Sequence, residues 1–175
     1  MTVLQALQSA SIEPREARLL LAAATGFSEA SVVAYPEREL PTEAQSRFQD
    51  FIQRRSGGEP VAYILGRKEF YGLELAVNPA VLIPRPETEL LVDLALQRAF
   101  SSVVDLGTGS GAIALAIKRQ RPQARVVAVD ANPVAAVRVG VAGDIRNAAA
   151  RLACSGNGRD LGVFLVRGQG KEAAH

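Results

Sequence analysis

Residues 103–117 read VVDLGTGSGAIALAI, and the next apolar run, RVVAVD, closes on Asp130, 23 residues after Gly107. Gly107, Thr108, Gly109, Ser110 and Gly111 form a loop that lets the backbone turn sharply and approach a ligand without Cβ atoms in the way, and the helix that follows starts with free N–H groups. Asp130 is placed to accept hydrogen bonds from ribose hydroxyls. Two cofactors compete for such a loop. Gly107, Gly109 and Ala112 satisfy the permissive dinucleotide pattern, so an NAD-type ligand stays open. Asp105, two residues before the first glycine, weighs the other way: its negative charge disfavours a pyrophosphate and suits the cationic sulfonium and amino groups of S-adenosylmethionine. A Walker-type phosphate loop is excluded, because no Gly-Lys-Ser/Thr occurs.

The elements that position this loop follow from period and punctuation. A strand over residues 101–105, a helix from Ala112 and a second strand ending at Asp130 make a βαβ unit. Upstream, KEFYGLELAV predicts a β-hairpin around Gly72, closed off by the turn dipeptide Asn78-Pro79. In VLIPRPETELLVDLAL, Pro84 and Pro86 hold Arg85 extended, Glu87 and Glu89 fall in a first helical turn, and Leu90, Leu91, Leu94 and Ala95 are expected on the buried face. Arg85, Glu87 and Glu89 have two readings, an exposed helix start or a support for the pocket.

The N-terminal third predicts a helical bundle. Pro14 opens one helix and Gly26 caps it; Thr42 with Gln45 suggests a capping box for a second, whose Ala44, Phe48, Phe51, Ile52 and Arg55 form a packing stripe. Shorter helices are expected in MTVLQALQSA and SEASVVAY. The chain thus divides into a bundle over residues 1–55, a loop and hairpin linker over 56–84 that begins at SGGEP, and an α/β part over 85–175.

Composition narrows the function classes. The 175 residues are 48% hydrophobic. No run of about 18 apolar residues suggests a membrane span, and the first residues lack the pattern of a signal peptide, so a cytoplasmic location is expected. Residues 1–133 hold 14 basic and 15 acidic side chains against 6 and 3 in residues 134–175. The near-neutral body gives no reason to expect nucleic-acid binding. One cysteine, Cys154, and one histidine, His175, are too few for a disulfide or a structural zinc site. No metal is expected.

The stretch EPVAYILGRKEFYGLELAVNPAVLIPRPETELLVD, followed by the glycine loop, closely resembles the bacterial peptide chain release factor glutamine methyltransferases, the HemK/PrmC family. The resemblance covers residues 1–133, and GEPVAYILG, EFYG and LIPRPETE carry it independently of the common glycine loop. It implies a helical substrate-binding bundle, a hairpin linker and the start of a Rossmann-like S-adenosylmethionine-dependent methyltransferase domain. It also implies methyl transfer to the glutamine side-chain amide in the Gly-Gly-Gln motif of class 1 release factors, with residues 107–111 lining the cofactor and Asp130 on the ribose.

The family's Asn-Pro-Pro-Tyr motif, which orients the substrate amide, is absent; the Asn-Pro pairs are Asn78-Pro79 and Asn132-Pro133, and neither continues Pro-Tyr. No catalytic residue is therefore assigned. Residues 140–175 contain 7 of the 15 glycines, and Gly140 and Gly143 interrupt an expected helix. The sequence predicts a shortened family member whose tail, atypical from about residue 134, stems from a shifted frame or an unrelated join, with one short strand in GVFLVRG. Exposed sheet surface, aggregation or partial disorder is expected after Pro133. A non-catalytic remnant that binds release factor or cofactor is the alternative reading.

Overall fold

The computed structural model describes residues 1–130, 149–150 and 162–166. It divides into two compact units, Met1–Leu65 and Gly66–His175.

The first unit is helical: α1 (Val3–Ser9), α2 (Pro14–Thr25), α3 (Glu29–Ala34), α4 (Thr42–Ser56) and α5 (Val61–Leu65). Each start has a local cause. At α1, Thr2 Oγ1 accepts the Gln5 N–H at 3.3 Å while Gln5 Oε1 accepts the Thr2 N–H at 2.9 Å, a complete capping box. Pro14 begins α2, and Gly26, at φ +78°, ends it by donating to the Ala22 carbonyl. The expected box at Thr42 is not made. Pro41 occupies the cap position and has no acceptor side chain, Thr42 lies inside the first turn, and the Gln45 amide group donates instead to the Leu40 carbonyl at 2.8 Å.

Packing follows the apolar stripes. Val3, Ala6, Leu20, Leu21, Val32, Phe48 and Ile64 form the buried core, with Phe51 and Ile52 at its margin. Each large buried side chain contributes about 1.5–3 kcal/mol. The compact unit runs to Leu65, beyond the boundary expected at residue 55. The reason is α5, which starts after Pro60 and places Ile64 in this core, within the span expected to be loop and hairpin. Arg54 closes the intervening loop with a two-pronged pair to Glu59, Nε to Oε2 at 2.8 Å and Nη2 to Oε1 at 2.7 Å.

The second unit opens with the expected hairpin, β1 (Arg67–Phe70) and β2 (Leu73–Ala76), in the register Arg67↔Ala76 to Phe70↔Leu73. Its two-residue turn has φ +52° at Tyr71 and +69° at Gly72, the twist that right-handed strand pairs favour. An aromatic residue resists that backbone, and several bonds hold it there. The Tyr71 N–H donates to Glu89 at 2.9 Å, its hydroxyl donates to Asp93 at 2.8 Å, and Arg119 reaches the Gly72 carbonyl at 2.7 Å.

Arg85 is extended, as expected between two prolines, and a 3-10 turn, Pro86–Thr88, leads into α6 (Glu89–Leu96). The buried face of α6 is not the expected one. Leu90, Leu91 and Leu94 are 60%, 55% and 49% exposed, whereas Val92 is fully buried with Ala95 and Leu96 against the same core. Leucines occur on every side of this two-turn helix, so composition leaves its rotation open; the tie from Glu89 and Asp93 to the hairpin tip sets it.

β3 (Ser102–Leu106), α7 (Ala112–Gln120) and β4 (Arg125–Asp130) form the expected βαβ unit, with parallel pairs from Ser102↔Arg125 to Leu106↔Val129. β6 (Gly162–Val166), at the position expected for a short strand, pairs antiparallel with β4 and with the two-residue β5 (Ala149–Ala150). The sheet order is β3-β4-β6-β5, and the whole is an α/β architecture. Ala114, Leu115, Ala116 and Ile117 of α7 pack with Val126 and Ala128 of β4. Gly140, Gly143, Cys154 and the disorder expected after Pro133 lie outside the described residues, β5 and β6 apart.

Two outcomes test this local chemistry. Thr2→Ala should lower the stability of the chain by about 1 kcal/mol while Thr42→Ala stays within about 0.5 kcal/mol, read from paired thermal melts. The Arg54 guanidinium holds the Glu59 carboxyl below its ordinary range. That pair therefore stabilises fully above the ordinary carboxylate pKa and is lost as pH falls through the lowered one, so Glu59→Gln should flatten the acid limb of the stability profile.

Candidate functional site

The glycine loop hangs from the end of β4. Both the Gly107 and Thr108 N–H groups donate to the Val129 carbonyl, at 2.7 and 3.0 Å, so the chain leaving β3 folds over its neighbour at once. Gly107, Gly109 and Gly111 have φ of +73°, +55° and +78°. A side chain would cost about 1–2 kcal/mol at each in backbone strain. Among the described residues a Cβ on Gly107 or Gly109 would meet no atom within 4 Å, which leaves space beside both.

Two carboxylates fix the loop's shape. Thr108 Oγ1 donates to Asp105 Oδ2 at 2.7 Å, and the Gly109 N–H donates to Asp130 Oδ2 at 2.7 Å. The structure thus brings Gly107, Thr108, Gly109 and Asp130 together at the ends of β3 and β4. It adds a role that spacing did not reveal, since Asp130 holds the loop's own backbone. Asp105, read from sequence for its charge alone, anchors the threonine; an acid three residues before a loop hydroxyl is the signal that could have found this. Ser110 is buried, and Gly111, at the start of α7, carries no side-chain cap.

Of the other candidates, Arg85 and Glu87 are exposed. Glu89 accepts from the Tyr71 amide at the hairpin tip, a structural duty that matches neither of its readings fully: it opens a helix, but its charge is used. Chemically the loop offers open backbone beside two acids, with no lysine or arginine in residues 103–117. That suits hydroxyl donors and positive charge better than a phosphate.

Two domain models match the chain, the PrmC N-terminal domain over residues 2–66 and the methyltransferase small domain over residues 86–153. The chain carries both of these domains in that order. The first match ends beside the boundary between the two compact units, and the second spans the glycine loop and continues past Pro133. Among curated relatives, the release factor glutamine methyltransferase of Burkholderia pseudomallei is 44% identical over 133 residues, covering 74% of this chain and 47% of the relative. The enzyme of that name from Coxiella burnetii is 46% identical over 140 residues, 77% of this chain and 50% of the relative. That from Salmonella typhimurium is 47% identical over 137 residues, 77% and 48%. The chain spans about half the length of the curated relatives it matches. Among the described residues no helix is long and apolar enough to cross a membrane.

The Asp130 clamp is open to direct test. Hydrogen exchange should find the Gly109 amide protected, and Asp130→Ala should speed its exchange at least tenfold while the α7 amides Leu115 and Ile117 keep theirs. Equal Gly109 rates in the two proteins would show that the carboxylate does not hold the loop in solution.

Proposed function

We propose that the chain serves S-adenosylmethionine-dependent methylation of the glutamine side-chain amide in the Gly-Gly-Gln motif of class 1 peptide chain release factors. The observation that carries this is the open glycine loop between two parallel strands, flanked by Asp105 and Asp130, in a chain that matches the PrmC N-terminal and methyltransferase small domains. The names of the relatives supply the substrate class.

The residues fit the cofactor by their chemistry. When bound, S-adenosylmethionine supplies a methyl group on a cationic sulfur. Gly107 and Gly109 leave room for close backbone approach, Thr108, Ser110 and Gly111 complete the cradle, and Asp130 is the acceptor for ribose hydroxyls. The negative charges of Asp105 and Asp130 favour a positive ligand and oppose a dinucleotide pyrophosphate. The helical unit Met1–Leu65 docks the release factor in this reading. A neutral amide is a poor nucleophile and must be oriented against the methyl group. The family's Asn-Pro-Pro-Tyr, which does this, does not occur in the 175 residues, so this chain contributes cofactor cradle and substrate docking. A cytoplasmic location goes with a partner in translation, and neither nucleic acid nor membrane is needed.

Calorimetric titration tests the reading. S-adenosylmethionine should bind saturably and NAD should not, and Asp130→Ala should weaken binding by roughly tenfold or more, the loss of one hydrogen bond to a charged group. Binding of NAD in place of S-adenosylmethionine, or no binding by a folded chain, would overturn it.

A further inference from the structure

In the helical unit the chain leaving α3 is pinned to the start of α1. The Val3 and Leu4 N–H groups donate to the Arg38 and Pro36 carbonyls, both at 2.9 Å, and the Leu40 N–H donates to the Met1 carbonyl at 3.0 Å. A single bridge joins Thr2 and Glu39. The backbone from Pro36 to Leu40 is thus held by another element of the same unit.

On this base the Arg38 side chain is held as well. Its guanidinium carbon lies 4.7 Å from the centre of the Phe27 ring and 5.1 Å from that of Tyr35, and Nη1 donates to Ser31 Oγ at 3.3 Å. Contact with ring faces leaves the N–H edge of a guanidinium available, and that edge matches a carboxylate as a fork. No such partner is supplied. Every residue of Met1–Leu65 is described, and the ion pairs within it are Arg54 with Asp50 and Glu59 and Arg55 with Glu16. Arg38 is exposed, and so are its neighbours Val33 at 64%, Tyr35 at 49% and Leu4 at 47%.

A surface arginine ordinarily loses much rotamer freedom when it is gripped by a partner. Here the rings and Ser31 have already restricted that freedom, so pairing costs less. Arginine and tyrosine beside exposed aliphatic side chains are also the residue types that carry most of the energy in protein interfaces.

We propose that Arg38, with Leu4, Val33 and Tyr35, forms the face on which the helical unit receives the release factor. A carboxylate on the surface of that protein pairs with the Arg38 fork, and an apolar side chain next to it packs on Tyr35 and Val33. Charge favours this occupant over a nucleic acid: Glu37 and Glu39 flank Arg38 and are exposed, so a run of phosphates meets two acids, whereas one carboxylate needs only the fork. The inference rests on the release factor reading above and names the surface that serves it.

Titration of the 175-residue chain with a purified class 1 release factor tests it. Arg38→Met, which keeps an unbranched side chain and loses the charge, should weaken binding about tenfold or more, and Arg38→Lys should not restore it, because an ammonium has no fork. Val33→Lys leaves the clamp intact at an exposed position and should weaken binding to a similar degree, with a melting temperature within a few degrees of the parent. Arg15→Met, an exposed arginine of α2, should bind within about twofold of the parent. Added salt should weaken the parent more than Arg38→Met. Undiminished binding by Arg38→Met or by Val33→Lys would overturn the proposal, as would an RNA oligonucleotide or a second copy of the chain taking the Arg38 face instead. These results leave the release factor reading standing as long as the parent binds; a folded parent that binds no release factor sinks the docking part of that reading and this face together, while titration with S-adenosylmethionine judges the cofactor part separately.

Discussion

The parallel pairing that sets Leu106 beside Val129 is the constraint from which the site derives. It brings the end of β3 level with the end of β4, so that one carbonyl, that of Val129, receives two consecutive loop amides. A slip of the register by one residue would turn Val126 and Ala128 away from α7 and carry Asp130 off the Gly109 amide. Loop conformation, acid placement and the seating of α7 are therefore one arrangement with a common origin in the ladder.

Around that ladder the acids have divided duties. Asp105 and Asp130 shape the glycine loop, while Glu89 and Asp93 hold the hairpin tip. A carboxylate bonded to a backbone amide or a hydroxyl loses its freedom to swing, so it presents a fixed field rather than a mobile one. For a ligand with positive charge this is pre-organisation: the shape and sign of the cradle exist before anything enters it.

The sequence revealed those parts of the molecule in which a residue's backbone preference decides locally. Gly26 ends α2 because only a glycine takes φ +78° freely, and Gly107, Gly109 and Gly111 announce the loop for the same reason. The parallel unit was readable because apolar run, glycine loop and apolar run leave one right-handed connection. Where two local solutions compete, sequence could not choose. Thr42 and Thr2 both precede a glutamine by three residues, and the proline before Thr42 moved the helix start so that only Thr2 caps. The rotation of α6 was hidden for a related reason: a helix with leucine on several sides has no unique apolar stripe, and distant bonds settle it. The clamp of Asp130 on Gly109 spans 21 residues and needs the folded ladder to exist at all.

The hairpin tip has a bearing on the order in which the second unit assembles. Tyr71 and Gly72 are held by groups 18, 22 and 47 residues further along the chain, from two different helices. The hairpin strands themselves need only a short loop closed, whereas the left-handed backbone at Tyr71 gains its support after α6 and α7 have met. Long-range contacts of this kind are made late, since their chain entropy is spent before they return anything. The turn that looks most local in the sequence is thus among the last pieces of the unit to set, and its closure reports that both helices have reached their final places.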